Sequence, residues 1–177
     1  MPIPGNAEDA AIQPSLVIVY FGGNDSMGAH SSGLGPHVPL PEYTENMRKI
    51  AFHLKHNSLG VSLAFFLNDI RVHHKQTALI SCPPVNQAKL CENMSSYFSV
   101  LVRTNELCRI YSEACIELCR EMDLKVIDLW TAIQKREDWS NACFTDGVHL
   151  SAEESKVLKV LKQAEWQPSL HWKSLPT

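Results

Sequence analysis

Hydrophobic positions along the chain fall into runs of two periods. Leu16-Val17-Ile18-Val19-Tyr20-Phe21 is continuous, apolar and rich in β-branched residues, and it stops at Gly22-Gly23. An unbroken run of this kind predicts a strand covered on both faces, as in a parallel sheet. Thr77–Cys82, ended by Pro83-Pro84, predicts a second strand, and Leu124–Leu129 predicts a third. Between the first two the period lengthens. Pro41 suits the first turn of a helix, and Tyr43, Met47, Ile50, Ala51 and Leu54 then share one helical face. Leu101, Cys108, Tyr111, Cys115, Leu118, Cys119 and Met122 form the apolar stripe of a helix predicted over 97–122. A short helix is expected to begin in Thr131–Trp139. Ser151-Ala152-Glu153-Glu154 has the form of a capping box, opening a last helix that extends to Gln163. Strands and helices alternate, which predicts right-handed crossovers and a parallel sheet between helices.

The remaining segments carry less pattern. Residues 1–14 are polar and rich in Pro and Ala, and are expected to be loose. Residues 22–40 are rich in Gly and Pro and predict a long loop, of a length that is uncommon unless it works. Residues 58–69 form an apolar insertion with no evident strand partner, and 166–177 read as a tail. The domain is therefore expected to span 15–165.

Composition narrows the function. The chain has 177 residues, enough for one domain with a sizeable core. Its net charge of −3 and the absence of a basic stripe argue against nucleic acid as partner. Residues 1–13 lack a basic start followed by an apolar core, so no signal peptide is expected. Leu59–Leu67, the longest apolar stretch, falls far short of the ~20 residues of a membrane span. Of six cysteines, Cys108, Cys115 and Cys119 lie at helical spacing among apolar residues. Free buried thiols and a cytoplasmic location are the expectation. His53, His56, His73 and His74 lack the spacing of a metal site, so no metal is expected. Trp130, Trp139, Trp166 and Trp172 are expected to pack rather than to stack on a sugar.

In an open α/β sheet, ligands bind beyond the carboxyl ends of the strands. Gly22-Gly23-Asn24-Asp25 follows the first strand and Cys82-Pro83-Pro84 the second, while Asp146 and His149 follow the third after a helical detour. Asp146 and His149, three apart on a Gly-containing loop, can meet as a base and its orienting carboxylate. They can equally be an Asp-Gly turn beside an ordinary histidine. Asn24 can donate its amide to a developing oxyanion, with Gly23 permitting close backbone approach. The same residues suit a plain turn.

Phe21-Gly22-Gly23-Asn24-Asp25 resembles the G-x-N-D block of the SGNH/GDSL hydrolases, and Thr145-Asp146-Gly147-Val148-His149-Leu150 resembles their D-G-x-H-L block. His37–Tyr43, Cys82–Val85, Arg103–Glu106 and Val126–Trp130 also fit, in order. Together they resemble the isoamyl-acetate-hydrolysing esterase-like branch, particularly its plant members, over about Asp9–Leu161. The resemblance implies a three-layer α/β/α flavodoxin-like fold and a cofactor-free esterase or lipase acting on small-molecule or lipid-like esters. It implies His149 as base, Asp146 as its acid, and Asn24 with Gly23 at the oxyanion hole.

Two features depart from the family pattern. No G-D-S-like nucleophile block occurs, and the match begins at the strand that stands third in the family. A partial domain missing its first strands is therefore expected, with an unknown nucleophile. Ser26 lies just past the oxyanion Asn, in a part the family gives to another strand, and is not assigned that role. The other departure is the 58–69 insertion. On this reading the first strand becomes an exposed apolar edge and a candidate for self-association. A non-catalytic binding or regulatory product is the alternative to an esterase.

Overall fold

The computed structural model describes residues 16–56, 76–93 and 103–151. The element order is β1 (Leu16–Tyr20), α1 (Leu40–His56), β2 (Gln76–Ile80), α2 (Gln87–Asn93), α3 (Asn105–Glu121), β3 (Lys125–Ile127), α4 (Leu129–Gln134) and α5 (Trp139–Ala142). Among the described residues the three strands form one parallel sheet in the order β1-β2-β3. Ile18 pairs with Ala78 in β1·β2, and Leu79 pairs with Val126 in β2·β3.

Alternation along the strands sends side chains to two different cores. Val19 and Leu79 face a cluster built with Tyr43 and Met47 of α1 and Cys108, Tyr111, Cys115, Leu118 and Cys119 of α3. Ala78, Ile80 and Ile127 face the other side, where Leu129 and Ile133 of α4 meet Cys143 and Phe144. Helices thus cover both faces of β2, in the three layers of an α/β/α architecture. Among the described residues of the stripes read from the sequence, Tyr43, Met47 and Ala51 of α1 and Cys108, Tyr111, Cys115, Leu118 and Cys119 of α3 are buried, and Ile50, Leu54 and Met122 pack against them, because a helix has only its apolar face to offer a sheet.

Coverage of β1 differs from the expectation of a strand buried on both faces. Val19 is buried, but Ile18, Tyr20 and Phe21 are 41%, 47% and 53% exposed. The apolar run is as continuous as a central strand requires, yet among the described residues no element packs over this half of it. The helix predicted over 97–122 begins later in the structure, at Asn105. Thr104 takes an extended conformation and its hydroxyl accepts from the Leu107 N–H, which makes it the cap. Residues 97–102 lie outside the described residues, as do 1–14, the 58–69 insertion, the helix expected after Ser151 and the tail. Helix α2 is not legible in the sequence, since its seven residues are too few to display a period. Of the six cysteines, all free, Cys91 is exposed and the other five are buried.

Candidate active site

The loop after β1 is built from its own backbone. Gly22 has φ +110, a conformation side chains rarely adopt, and a Cβ there would lie 3.0 Å from the Tyr43 hydroxyl. Its N–H donates to Asp25 Oδ2 at 3.0 Å, and Ser26 N–H donates back to Gly22 O at 2.9 Å. These bonds fold Gly22–Ser26 into a tight turn at the carboxyl end of the strand. A Cβ on Gly23 would lie 2.8 Å from the Tyr20 hydroxyl, so the small residue lets the loop lie against that ring. The His37 ring N–H meets Met27 O at 2.6 Å, which ties the far end of the long 22–40 loop back to its start.

Asn24 is exposed at the tip of this turn. Its side-chain oxygen accepts a hydrogen bond from Arg103 Nη2 at 2.8 Å. Ser26, by contrast, is fully buried. Its hydroxyl donates to Gly23 O at 3.1 Å and lies 3.7 Å from the sulfurs of both Cys82 and Cys108. The Cys82 thiol is pushed well up from its ordinary range by its contact with Cys108 and by burial, so it stays neutral. Ser26 and Cys82 form a sealed floor under the turn.

The second loop follows α5. Asp146 Oδ1 accepts from the N–H groups of Val148 and His149, both at 2.9 Å, and Asp146 Oδ2 meets His149 Nδ1 at 2.5 Å. The backbone N–H of His149, then its ring, then the N–H of Val148 hold the Asp146 carboxyl well below the usual carboxylate range. A carboxylate only accepts, so Nδ1 carries a proton, and in the neutral ring Nε2 is then the acceptor. The His149 side chain is 79% exposed. Gly147, at φ +99, is needed where it stands: a Cβ there would meet Asn86 O at 2.7 Å and Leu90 N at 2.9 Å. Asn86 is the reason for that proximity. Its N–H donates to Gly147 O at 2.9 Å, and its amide donates to Ser140 O at 2.6 Å. Its side-chain oxygen accepts from Lys89 N–H at 3.1 Å, capping α2.

Between the two loops lies a cleft of about 500 Å³. Gly23 and Asn24 line it from one side and His149 from another, with Asp146 behind the His149 ring. Its walls are largely apolar: Phe21, Ile80, Leu129, Val148 and Leu150. Among the described residues lining it there is no serine, threonine or cysteine. No group of described His, Cys, Asp and Glu residues has the geometry of a metal site. The sequence motifs point to Gly23, Asn24, Asp146 and His149. Arg103 falls within the Arg103–Glu106 block but receives no role from it, and Asn86 lies outside the blocks; the contacts of Arg103 with Asn24 and of Asn86 with Ser140 join segments far apart in the chain.

Comparison with known proteins adds to this geometry. Residues 3–155 match the model of the GDSL-like Lipase/Acylhydrolase family. The chain is 58% identical over 175 residues to a rice protein (Oryza sativa subsp. japonica) named GDSL esterase/lipase WDL1, with 96% of this chain and 62% of that one aligned. It is 57% identical to GDSL esterase/lipase CPRD49 of Arabidopsis thaliana, over 96% of this chain and 63% of the relative. Isoamyl acetate-hydrolyzing esterase 1 homolog of Mus musculus is 30% identical over 78% of this chain and 50% of its own length. The crystal structure of the lipase/acylhydrolase from Enterococcus faecalis shares the fold, with a TM-score of 0.56 and 19% identity over 84% of this chain and 59% of the other. The chain thus spans about three fifths of the length of the two plant relatives it matches.

Proposed function

The chain belongs to the GDSL-like lipase/acylhydrolase family, and on that premise we propose that the cleft serves the hydrolysis of carboxylic esters. His149 is the general base, Asp146 the carboxylate that fixes its tautomer, and Asn24, with Gly23 beside it, the oxyanion donor. The observation that carries this reading is the 2.5 Å contact between His149 Nδ1 and Asp146 Oδ2 at the edge of a cleft that Asn24 also lines.

The chemistry follows from which atoms hold protons. As a water molecule in the cleft attacks, one of its protons passes to His149 Nε2 and its oxygen bonds to the carbonyl carbon. The carbonyl π pair moves onto the oxygen, where the Asn24 amide donates to the developing charge. Collapse restores the carbonyl, and the departing alkoxide takes the proton back from the imidazolium. Asp146 stays ionised throughout and stabilises that imidazolium. Ser26 is not the nucleophile in this scheme, because its hydroxyl is sealed beneath the turn and committed to Gly23 O. The apolar walls suit a small or lipid-like acyl group, and the reaction needs no cofactor.

Hydrolysis of p-nitrophenyl acetate tests the proposal. His149→Ala is expected to lower kcat/KM by about 10²–10⁴-fold, while Ser26→Ala keeps turnover that depends on His149. Equal turnover with and without the imidazole would remove His149 from the mechanism.

A second reading has its own support. The exposed Ile18 and Tyr20 leave an apolar strip on β1, and strips of that kind favour a covering partner, a second copy included. In that reading the chain is a non-catalytic binding or regulatory product. A folded chain without turnover, whose sedimentation depends on concentration, favours it.

A further inference from the structure

We infer that Arg103 is a positioning residue that sets which end of the Asn24 amide faces the cleft. The inference rests on the reading of Asn24 as oxyanion donor and adds a residue to it.

An asparagine amide can rotate by half a turn about its last bond and exchange oxygen for nitrogen in nearly the same space. Only the NH2 end can stabilise an oxyanion; the oxygen end would repel it. A guanidinium has donors and no acceptor. Arg103 Nη2, 2.8 Å from Asn24 Oδ1, can therefore bond the amide in one of its two orientations only. With the oxygen committed to Arg103, the nitrogen is the end left for a ligand. Among the described residues no acceptor meets that nitrogen, and both Asn24 and Arg103 line the cleft. The bond joins groups 79 residues apart in sequence, so the two chain segments must be docked before it forms.

The placement of Arg103 is itself fixed. The next residue, Thr104, caps α3 by accepting from Leu107 N–H, and Asn105 clamps the backbone at Val85 through two bonds, from Val85 N–H at 2.8 Å and to Val85 O at 2.9 Å. The guanidinium is thus carried at the head of a buried helix whose start is pinned to the loop after β2. That anchorage fixes the backbone from which the Arg103 side chain reaches Asn24. The positive charge beside the carbonyl end also polarises the amide and strengthens its N–H donors.

Two variants separate the role from simple structure. Arg103→Met keeps much of the volume and removes the donors, whereas Arg103→Lys restores one donor and the charge. With p-nitrophenyl acetate, Arg103→Met is expected to lower kcat by roughly 10–100-fold, somewhat less than loss of a whole oxyanion donor. KM should change little, and Arg103→Lys should recover part of kcat. If turnover falls in His149→Ala but kcat in Arg103→Met equals that of the parent, the role of Arg103 is overturned while the esterase reading stands. An Arg103→Lys variant as impaired as Arg103→Met overturns it equally. If the parent chain has no turnover, the esterase reading fails and side-chain amide NMR decides the inference. Two resolved, slowly exchanging Asn24 NH2 resonances that collapse or exchange faster in Arg103→Met support it. Resonances that are the same in both proteins overturn it.

Discussion

Asp146 does three things through one side chain. It closes its own loop through two backbone N–H groups, fixes the His149 tautomer and supplies the negative charge behind the ring. In the proposed mechanism Asp146→Asn removes the last two functions and frees the imidazole to take the wrong tautomer. A loss of kcat of roughly 10³–10⁴-fold is expected in ester hydrolysis. The same carboxylate also predicts a pH dependence of stability. Its folded-state pKa lies below the unfolded value of about 3.9. Its contribution is therefore fully present above the unfolded value and is lost as pH falls through the folded one. The melting-temperature gap between the parent chain and Asp146→Asn should be constant above about pH 5 and shrink below pH 4. A gap that grew with acid would contradict the bond geometry. Gly147 is the partner requirement. Gly147→Ala combines a positive φ with a 2.7 Å approach to Asn86 O, and a cost of at least ~1–3 kcal/mol is expected in urea unfolding.

The element scale is governed by how α3 starts. Its apolar stripe is plain in the sequence, but the same periodicity extends the helix upstream toward residue 97. The start is instead decided by a cap, a hydrogen bond that hydrophobic spacing does not encode. Thr104→Ala is expected to cost about 1 kcal/mol, which for a domain of this size lowers Tm by roughly 2–4 °C. Because Arg103 precedes the cap, the same variant should also loosen the proposed Asn24 contact, and a fall in kcat larger than any change in KM would reveal it. Helix α2 shows the reverse situation. Its seven residues carry no period, yet Asn86 caps it and holds the Asp146–His149 loop. Asn86→Ala strands the carbonyl of Ser140, and a cost of about 1–3 kcal/mol is expected on unfolding, with impaired turnover.

At the scale of the molecule, the two faces of the sheet are unequally served. The face carrying Val19 and Leu79 rests on α1 and α3, while on the other face the described elements cover β2 and β3 and leave Ile18 and Tyr20 of β1 open. If a second copy covers this strip, as the second functional reading holds, Ile18→Lys should abolish concentration-dependent sedimentation. At dilutions where the parent chain is dissociated, the two melting temperatures should differ by no more than a degree or two, because Ile18 is 41% exposed in the isolated chain. Concentration-independent sedimentation of the parent chain would dismiss self-association through this strand.

Local sequence determined what local physics can fix. Short runs rich in apolar and β-branched residues made the strands, 3.6-residue stripes made the faces of α1 and α3, and the Gly-Asn-Asp and Asp-Gly-Val-His blocks supplied turns that the backbone closes over a few residues. The Asp146–His149 contact belongs to this class, because its partners are three residues apart and bonded through one loop. Tertiary structure decided everything that needed distant partners. Only folding brings Arg103 to Asn24, seats Asn86 under Gly147 and buries Ser26 between Cys82 and Cys108. The physical reason is range: periodicity and turn chemistry act over a few residues, whereas which side chains share a cleft is set by docking segments that lie tens of residues apart.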